Sequence, residues 1–224
     1  MQNQQPSTLK EIRVHGTQDF PCAFYQTGTR IKGNMVKHHW HEEVELLYFS
    51  GGEFCLEVNM ERFNISEECF YVINPGELHS ISVEKNGGCV ENAVVFHMDM
   101  LSSAYALDQI QTNLIQPVQN GSIQFPRCLR KNEPAFEPVR KSYEEIRNVF
   151  GGDSFRENYY DGEAVTDDIT RQLFIKSALL RILAVLSANN LFEVTEKNHD
   201  HRIETIKTTL TYIQENYCLL YTSD

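Results

Sequence analysis

Residues 33–52 read GNMVKHHWHEEVELLYFSGG, and their spacing carries most of what the chain says about its fold. Gly33, His39, His41, Glu45 and Gly52 fit the pattern G-x5-H-x-H-x3-E-x6-G. Residues two apart on a strand point to one face, so His39 and His41 share a side of the sheet. Glu45 joins them across a bend or from the adjoining strand. Further along, NPGELH supplies His79 after a Pro-Gly turn. Three imidazoles and one carboxylate converging inside a barrel form a ligand set for a divalent transition metal with open positions. Each pair alone is weak evidence; the joint spacing is the specific feature.

On either side of this stretch, up to about residue 100, short runs rich in Val, Ile, Phe and Tyr alternate with Gly, Asn and Glu. The expected strands are Cys22–Ile31, Val44–Ser50, Glu53–Val58, Arg62–Ile65, Cys69–Ile73, His79–Val83 and Val90–His97. Gly51-Gly52, Asn59-Met60-Glu61, Pro75-Gly76 and Asn86-Gly87-Gly88 supply the turns. Closely spaced strands of this kind read as a barrel or sandwich rather than parallel βαβ units.

Beyond residue 100 the pattern turns helical. A short helix is expected over Leu101–Leu114, then an irregular stretch from Pro117 to Pro126. Phe136, Val139, Tyr143, Ile146 and Val149 fall at helical spacing before Gly151-Gly152. Asp167–Leu186 is the strongest helix, with Thr166 or Asp167 as its cap. Its polar stripe is narrow, so it needs burial on more than one side: against the barrel and a second copy of itself, or deep in its own domain. Ile203, Ile206, Leu210, Ile213 and Tyr217 mark a last amphipathic helix over Arg202–Tyr217, with no partner left in the chain.

Composition narrows the function. Of the 224 residues, 20 are basic and 31 acidic, a net charge of -11 that repels phosphate, so this piece alone is a poor nucleic-acid binder. The start MQNQQPSTLK has no secretory pattern, and no apolar run approaches the roughly 18 residues of a membrane span. No membrane partner and a cytoplasmic location are therefore expected. Six cysteines without a C-x-x-C pair read as reduced, mostly buried thiols.

The 33–52 stretch resembles the first signature motif of the cupin superfamily at every fixed position. The second motif matches more loosely: Cys69 replaces its first glycine, Val83 its closing asparagine, and Pro75–His79 is one residue shorter than in the metal enzymes. That shorter form, INPGELHSI, is similar to the sensor domains of AraC-type transcription regulators. The resemblance continues through VVFHMDML, IQPVQNGSIQFPRCL and ALLRILAVLS to RIETIKTTLTYIQENY, which looks like the lead-in helix of their DNA-binding domain. The final residues, Cys218 to Asp224, do not look like that family's continuation, and a truncated frame is expected.

The resemblance implies a mainly β protein with α: a cupin-like (double-stranded β-helix, or jelly-roll) barrel followed by a helical dimerisation region. The expected organisation is a flexible arm over 1–20, a barrel sensor over 21–100, a dimerisation region over 101–192, and a DNA-binding domain begun and cut short over 199–224. It implies a non-enzymatic, homodimeric regulator that answers a small-molecule effector, a sugar among the candidates, and meets DNA only through the missing C-terminal domain. His39, His41, Glu45 and His79 are the candidate ligand-binding residues, with no catalytic residue and no required cofactor. Three readings of these four stand side by side: effector contacts without metal, ligands of a divalent transition metal, or satisfied polar groups. The rival function is a metal-dependent cupin enzyme, a dioxygenase or isomerase, using the 3-His/1-Glu set. Trp40, between the histidines, is expected on the opposite face, packed in the core, with packing against the helices or the N-terminal arm as the alternative.

Overall fold

A computed structural model describes residues 9–29, 31–86, 89–105, 107–151, 160–161, 168–195 and 201–216. Eight strands precede residue 100: β1 (Cys22–Thr29), β2 (Gly33–His39), β3 (Val44–Phe49), β4 (Phe54–Val58), β5 (Glu61–Ile65), β6 (Cys69–Ile73), β7 (His79–Val83) and β8 (Cys89–Phe96). Four short ones follow: β9 (Ile123–Gln124), β10 (Cys128–Arg130), β11 (Tyr160–Asp161) and β12 (Glu193–Val194). Two antiparallel sheets face each other as a cupin-type sandwich, one in the order β10-β6-β3-β8-β1-β11, the other β2-β7-β4-β5. Two strands from beyond residue 100, β10 and β11, thus belong to the larger sheet.

The larger sheet is buried on both faces, which explains its near-continuous apolar runs. Alternate residues serve two different cores. Ala23, Tyr25, Leu47, Phe49, Tyr71, Ile73, Ala93 and Val95 point between the sheets, where Phe54, Leu56 and Ile81 meet them. Their neighbours Phe24, Val44, Leu46, Tyr48, Phe70, Val72, Val94 and Phe96 point the other way, onto helices α2 (Phe136–Val149) and α3 (Ile169–Ala188). The smaller sheet has one wet face. In β7, His79, Ile81 and Val83 are buried while Ser80 and Ser82 are half-buried.

Several expectations need correcting. Strand β2 was absent from the sequence-based strands because GNMVKHH does not alternate cleanly; it is an edge strand with two register shifts against β7. The helix expected over Leu101–Leu114 sits later. A π-helical turn, Gln111–Ile115, runs directly into α1 (Gln116–Gln119), with Pro117 just after the junction. The cap of α3 is Asp168, whose carboxylate accepts from Thr170 N (2.9 Å) and Arg171 N (3.2 Å); Thr166 and Asp167 lie outside the described residues. Trp40 is half-buried at the rim, not in the core, with Lys10 Nζ 4.9 Å and Lys207 Nζ 4.6 Å from its ring centroid. Lys207 belongs to α4 (His201–Asn216), so the last helix does meet a partner in this chain. Tyr217 and the tail through Asp224 lie outside the described residues, as do residues 1–8 of the expected arm.

Candidate functional site

The structure brings His39, His41, Glu45 and His79 together at one end of the space between the sheets. His39 ends β2 and stands opposite His79, the first residue of β7, in the strand register. Glu45 comes from β3 in the facing sheet, at the inward parity of Leu47 and Phe49. His41 lies just past β2, and its carbonyl accepts from Gly76 N at 2.7 Å, which ties the first histidine pair to the NPGELH turn. Ring centroids of His39 and His79 are 4.2 Å apart, and those of His41 and His79 5.1 Å apart.

Each of the three rings is oriented the same way. Nδ1 of His39, His41 and His79 faces the carbonyl of Lys37 (2.8 Å), Glu43 (3.1 Å) and Glu77 (2.9 Å), in every case two residues back or ahead. A carbonyl only accepts, so each Nδ1 carries a proton and each neutral ring presents the lone pair of Nε2. Glu45 Oε2 lies 3.4 Å from His41 Nε2 and 3.0 Å from His79 Nε2. Despite that proximity, the buried His79 Nε2 forms no hydrogen bond. Lone pairs facing a carboxylate require a proton or another cation between them. Burial works against charge on Glu45, but His41 and His79 hold its carboxyl well below the usual carboxylate range. Burial likewise opposes charge on His41, yet Glu45, then Glu43 and Glu11, raise its pKa above the ordinary imidazole value. His39 goes the other way: burial first, then the neighbouring His79 ring, lowers it to about 4.

The donor set fits a divalent first-row ion. The reactive atoms of His39, His41 and His79 lie within 4.8 Å of one another, and the Nδ1 carbonyls are the outer partners that orient metal-binding imidazoles.

The cluster opens onto a cavity of about 470 Å³, within the range of small-molecule sites. Its walls include Tyr25, Thr27, Met35, Val36, Glu91, Ala93 and Val95, and residues 10–13 and His15. The N-terminal segment is held there by the backbone: Glu11 N donates to Trp40 O and Trp40 N to Leu9 O, each at 2.9 Å. His15 Nδ1 meets the Tyr25 hydroxyl at 2.8 Å, and Glu11 Oε2 lies 3.4 Å from His39 Nε2.

Sequence reasoning missed Glu11, His15 and Glu91. Glu91 is 2% exposed, and burial followed by repulsion from Glu45 pushes its carboxyl well above the usual range. Its inward parity with Ala93 and Val95 in an apolar strand was the available signal. For Glu11 and His15, in a polar segment without periodicity, there was none. Glu42 pairs with Lys10 at 2.5 Å, and Glu43 Oε2 is 3.6 Å from His41 Nδ1. Among the described residues Cys22, Cys55, Cys69 and Cys128 are free thiols, Cys22 and Cys69 buried.

A pocket inside a two-sheet sandwich, backed by a helical layer, is the form of a ligand-binding domain. The chain belongs to the family of AraC-like ligand binding domains, whose profile matches residues 26–148. Over 114 residues it is 28% identical to an uncharacterized HTH-type transcriptional regulator, YdeC, of Bacillus subtilis (strain 168), a match covering 47% of this chain and 39% of that protein. The chain thus spans about two fifths of that relative's length. Similar solved structures include a predicted oxalate decarboxylase of Thermotoga maritima (24% identity, TM-score 0.32, covering 34% of this chain and 67% of that one). A cupin protein of Bacteroides fragilis is also similar (14% identity, TM-score 0.32, covering 39% and 70%). No helix among the described residues is long and apolar enough to cross a membrane.

Proposed function

We propose that this chain is the effector-sensing and dimer-forming part of an AraC-type transcription regulator, and that His39, His41, Glu45 and His79 contact the effector. The cavity of about 470 Å³, lined by His39, His41 and Glu45 with His79 packed behind them, supports this reading. His39, held low, His41, raised by its carboxylate neighbours, and Glu45, held well below the usual carboxylate range, offer acceptor, donor and charge within a few ångströms. That combination suits a small polar metabolite, a sugar included, whose hydroxyls both donate and accept. DNA would be met by a domain outside this chain, consistent with the net charge of -11. An effector bound under residues 9–15 favours one arrangement of segment and helices over another, which is all a population shift requires.

The experiment is calorimetry and thermal melting against panels of sugars, amino acids and small organic acids. One class should raise the melting temperature, and His41→Ala should weaken its binding at least ~10-fold, the loss of one charged hydrogen bond. If no class binds, or His41→Ala binds as well as wild type, the reading fails.

The metal-dependent enzyme, a dioxygenase or isomerase, has one observation in its favour: three oriented imidazoles, His39, His41 and His79, with donor atoms within 4.8 Å of one another, two of them beside Glu45. An ion held there by His39, His41, Glu45 and His79 would supply open coordination positions for a substrate oxygen. Stoichiometric iron, manganese or nickel in purified protein, lost in His79→Ala, would favour that reading.

A further inference from the structure

Next to the motif cluster lies a second group of donors that the motif does not contain. Glu11, His15 and His41 each place one ligand-capable atom within 4.8 Å of the others. Two come from the segment before β1, and only His41 belongs to the motif. His15 is 4% exposed, and its Nε2 has no hydrogen-bond partner. The nearest acid is Glu11, whose Oε2 lies 3.4 Å from that nitrogen. The Tyr25 hydroxyl at Nδ1, 2.8 Å away, fixes the ring on its other side, as an outer partner fixes a metal-binding imidazole. A buried nitrogen left without a partner beside a carboxylate is costly, and a cation between them removes that cost.

The segment is built to stay there. Its backbone bonds Trp40 at Leu9 and Glu11, and Gly16 then turns it back toward β1 at φ +82°. Any Cβ at Gly16 would sit 2.5 Å from the carbonyl oxygens of Phe20 and Cys22, so only glycine makes this turn.

We propose that Glu11, His15 and His41 hold a divalent transition ion, Zn²⁺ being the natural choice for two imidazoles and a carboxylate, that fastens residues 9–15 across the pocket mouth. Nδ1 of His41 is engaged by the Glu43 carbonyl, so a single Nε2 serves both donor groups and the two positions exclude one another. The ion would act as a clasp on the sensor, independent of which effector the cavity takes.

The test separates the two positions. In the full chain carrying His39→Ala and His79→Ala, the motif set is dismantled while Glu11, His15 and His41 remain. This variant should still bind one equivalent of Co²⁺ by calorimetry and visible absorption, and adding His15→Gln should weaken binding at least ~10-fold. Loss of all binding before His15 is changed, or unchanged binding after it, overturns the proposal. The same double variant gives a second readout. Zn²⁺ should slow its trypsin cleavage after Lys10 and Arg13, and adding Glu11→Gln should remove that protection. Cleavage indifferent to Zn²⁺ in the double variant, or protected equally with Glu11→Gln added, overturns it as well.

Discussion

Burial decides the charge of Glu91. Its carboxyl lies inside the sandwich with Oε1 unpartnered and the ionised Glu45 on the same cavity wall, so the folded state keeps it protonated. A pKa raised by folding means that native protein binds more protons than unfolded chain. The stability contributed is therefore fully present below the ordinary glutamate value and is lost as pH rises toward the raised one. Glu91→Gln keeps the shape and removes the titration. Wild type and Glu91→Gln should melt alike near pH 4. As pH rises toward 8, wild type should fall behind by up to about 1.4 kcal/mol per pH unit, the limit for one proton. Melting curves across that range check it; parallel curves would mean that Glu91 is ionised in the fold. The protonated acid also points a donor into the cavity, so the same variant should change effector affinity while His41→Ala changes it by a different route.

Among the connecting elements, the NPGELH turn does the positioning. Glu77, 7% exposed, accepts from Asn74 N at 2.7 Å and from both ends of the Arg127 guanidinium, while Asn74 Oδ1 accepts from Phe125 N at 2.8 Å. Two residues on, the Glu77 carbonyl orients His79. Arg127→Ala leaves a nearly buried carboxylate without its cation. The guanidinium is about a quarter exposed, so the cost is discounted to about 2 kcal/mol, or roughly 4–8 °C in melting temperature. Ligand affinity should fall with it, because His79 loses its anchor; a variant that melts as wild type does would remove the turn from the site's support. This network also shows what sequence could and could not say. His39, His41, Glu45 and His79 were legible because their spacing fits a motif, and β6 and β7 were found at their observed limits because their flanking turns are sharp. Glu77 was legible only as part of a motif, since its partner lies 50 residues away. Strand β2 was invisible because its residues are mostly exposed or half-buried, so no apolar period marks it. Glu11 and His15 join the site through backbone bonds to Trp40 and a glycine turn, neither of which leaves a pattern in side-chain hydropathy.

For the molecule as a whole, α3 has two apolar faces, and among the described residues only one is covered. Ile175, Ala178, Leu179, Ile182, Leu183 and Leu186 are buried on the sheet and α2. Ile169, Leu173 and Leu180 recur along another face at 72%, 61% and 43% exposure, with Phe174 beside them at 57%. A solvent-exposed stripe of large apolar side chains on a rigid helix is an association surface in the ordinary case. The occupant proposed is a second copy of the same helix, because a two-fold axis places a self-complementary stripe against itself and closes the assembly at two. Leu173→Glu should then convert dimer to monomer by setting two carboxylates against each other in the contact. The expected loss is at least ~30-fold in dimer affinity, about 2 kcal/mol. Leu173 is exposed in the single chain, so the fold itself should lose no more than about 0.5 kcal/mol. Ile31→Glu, equally apolar and exposed between β1 and β2, should leave association unchanged. Sedimentation equilibrium of the three proteins decides between the outcomes. A monomeric wild type, or a Leu173→Glu variant that still dimerises, would detach α3 from assembly.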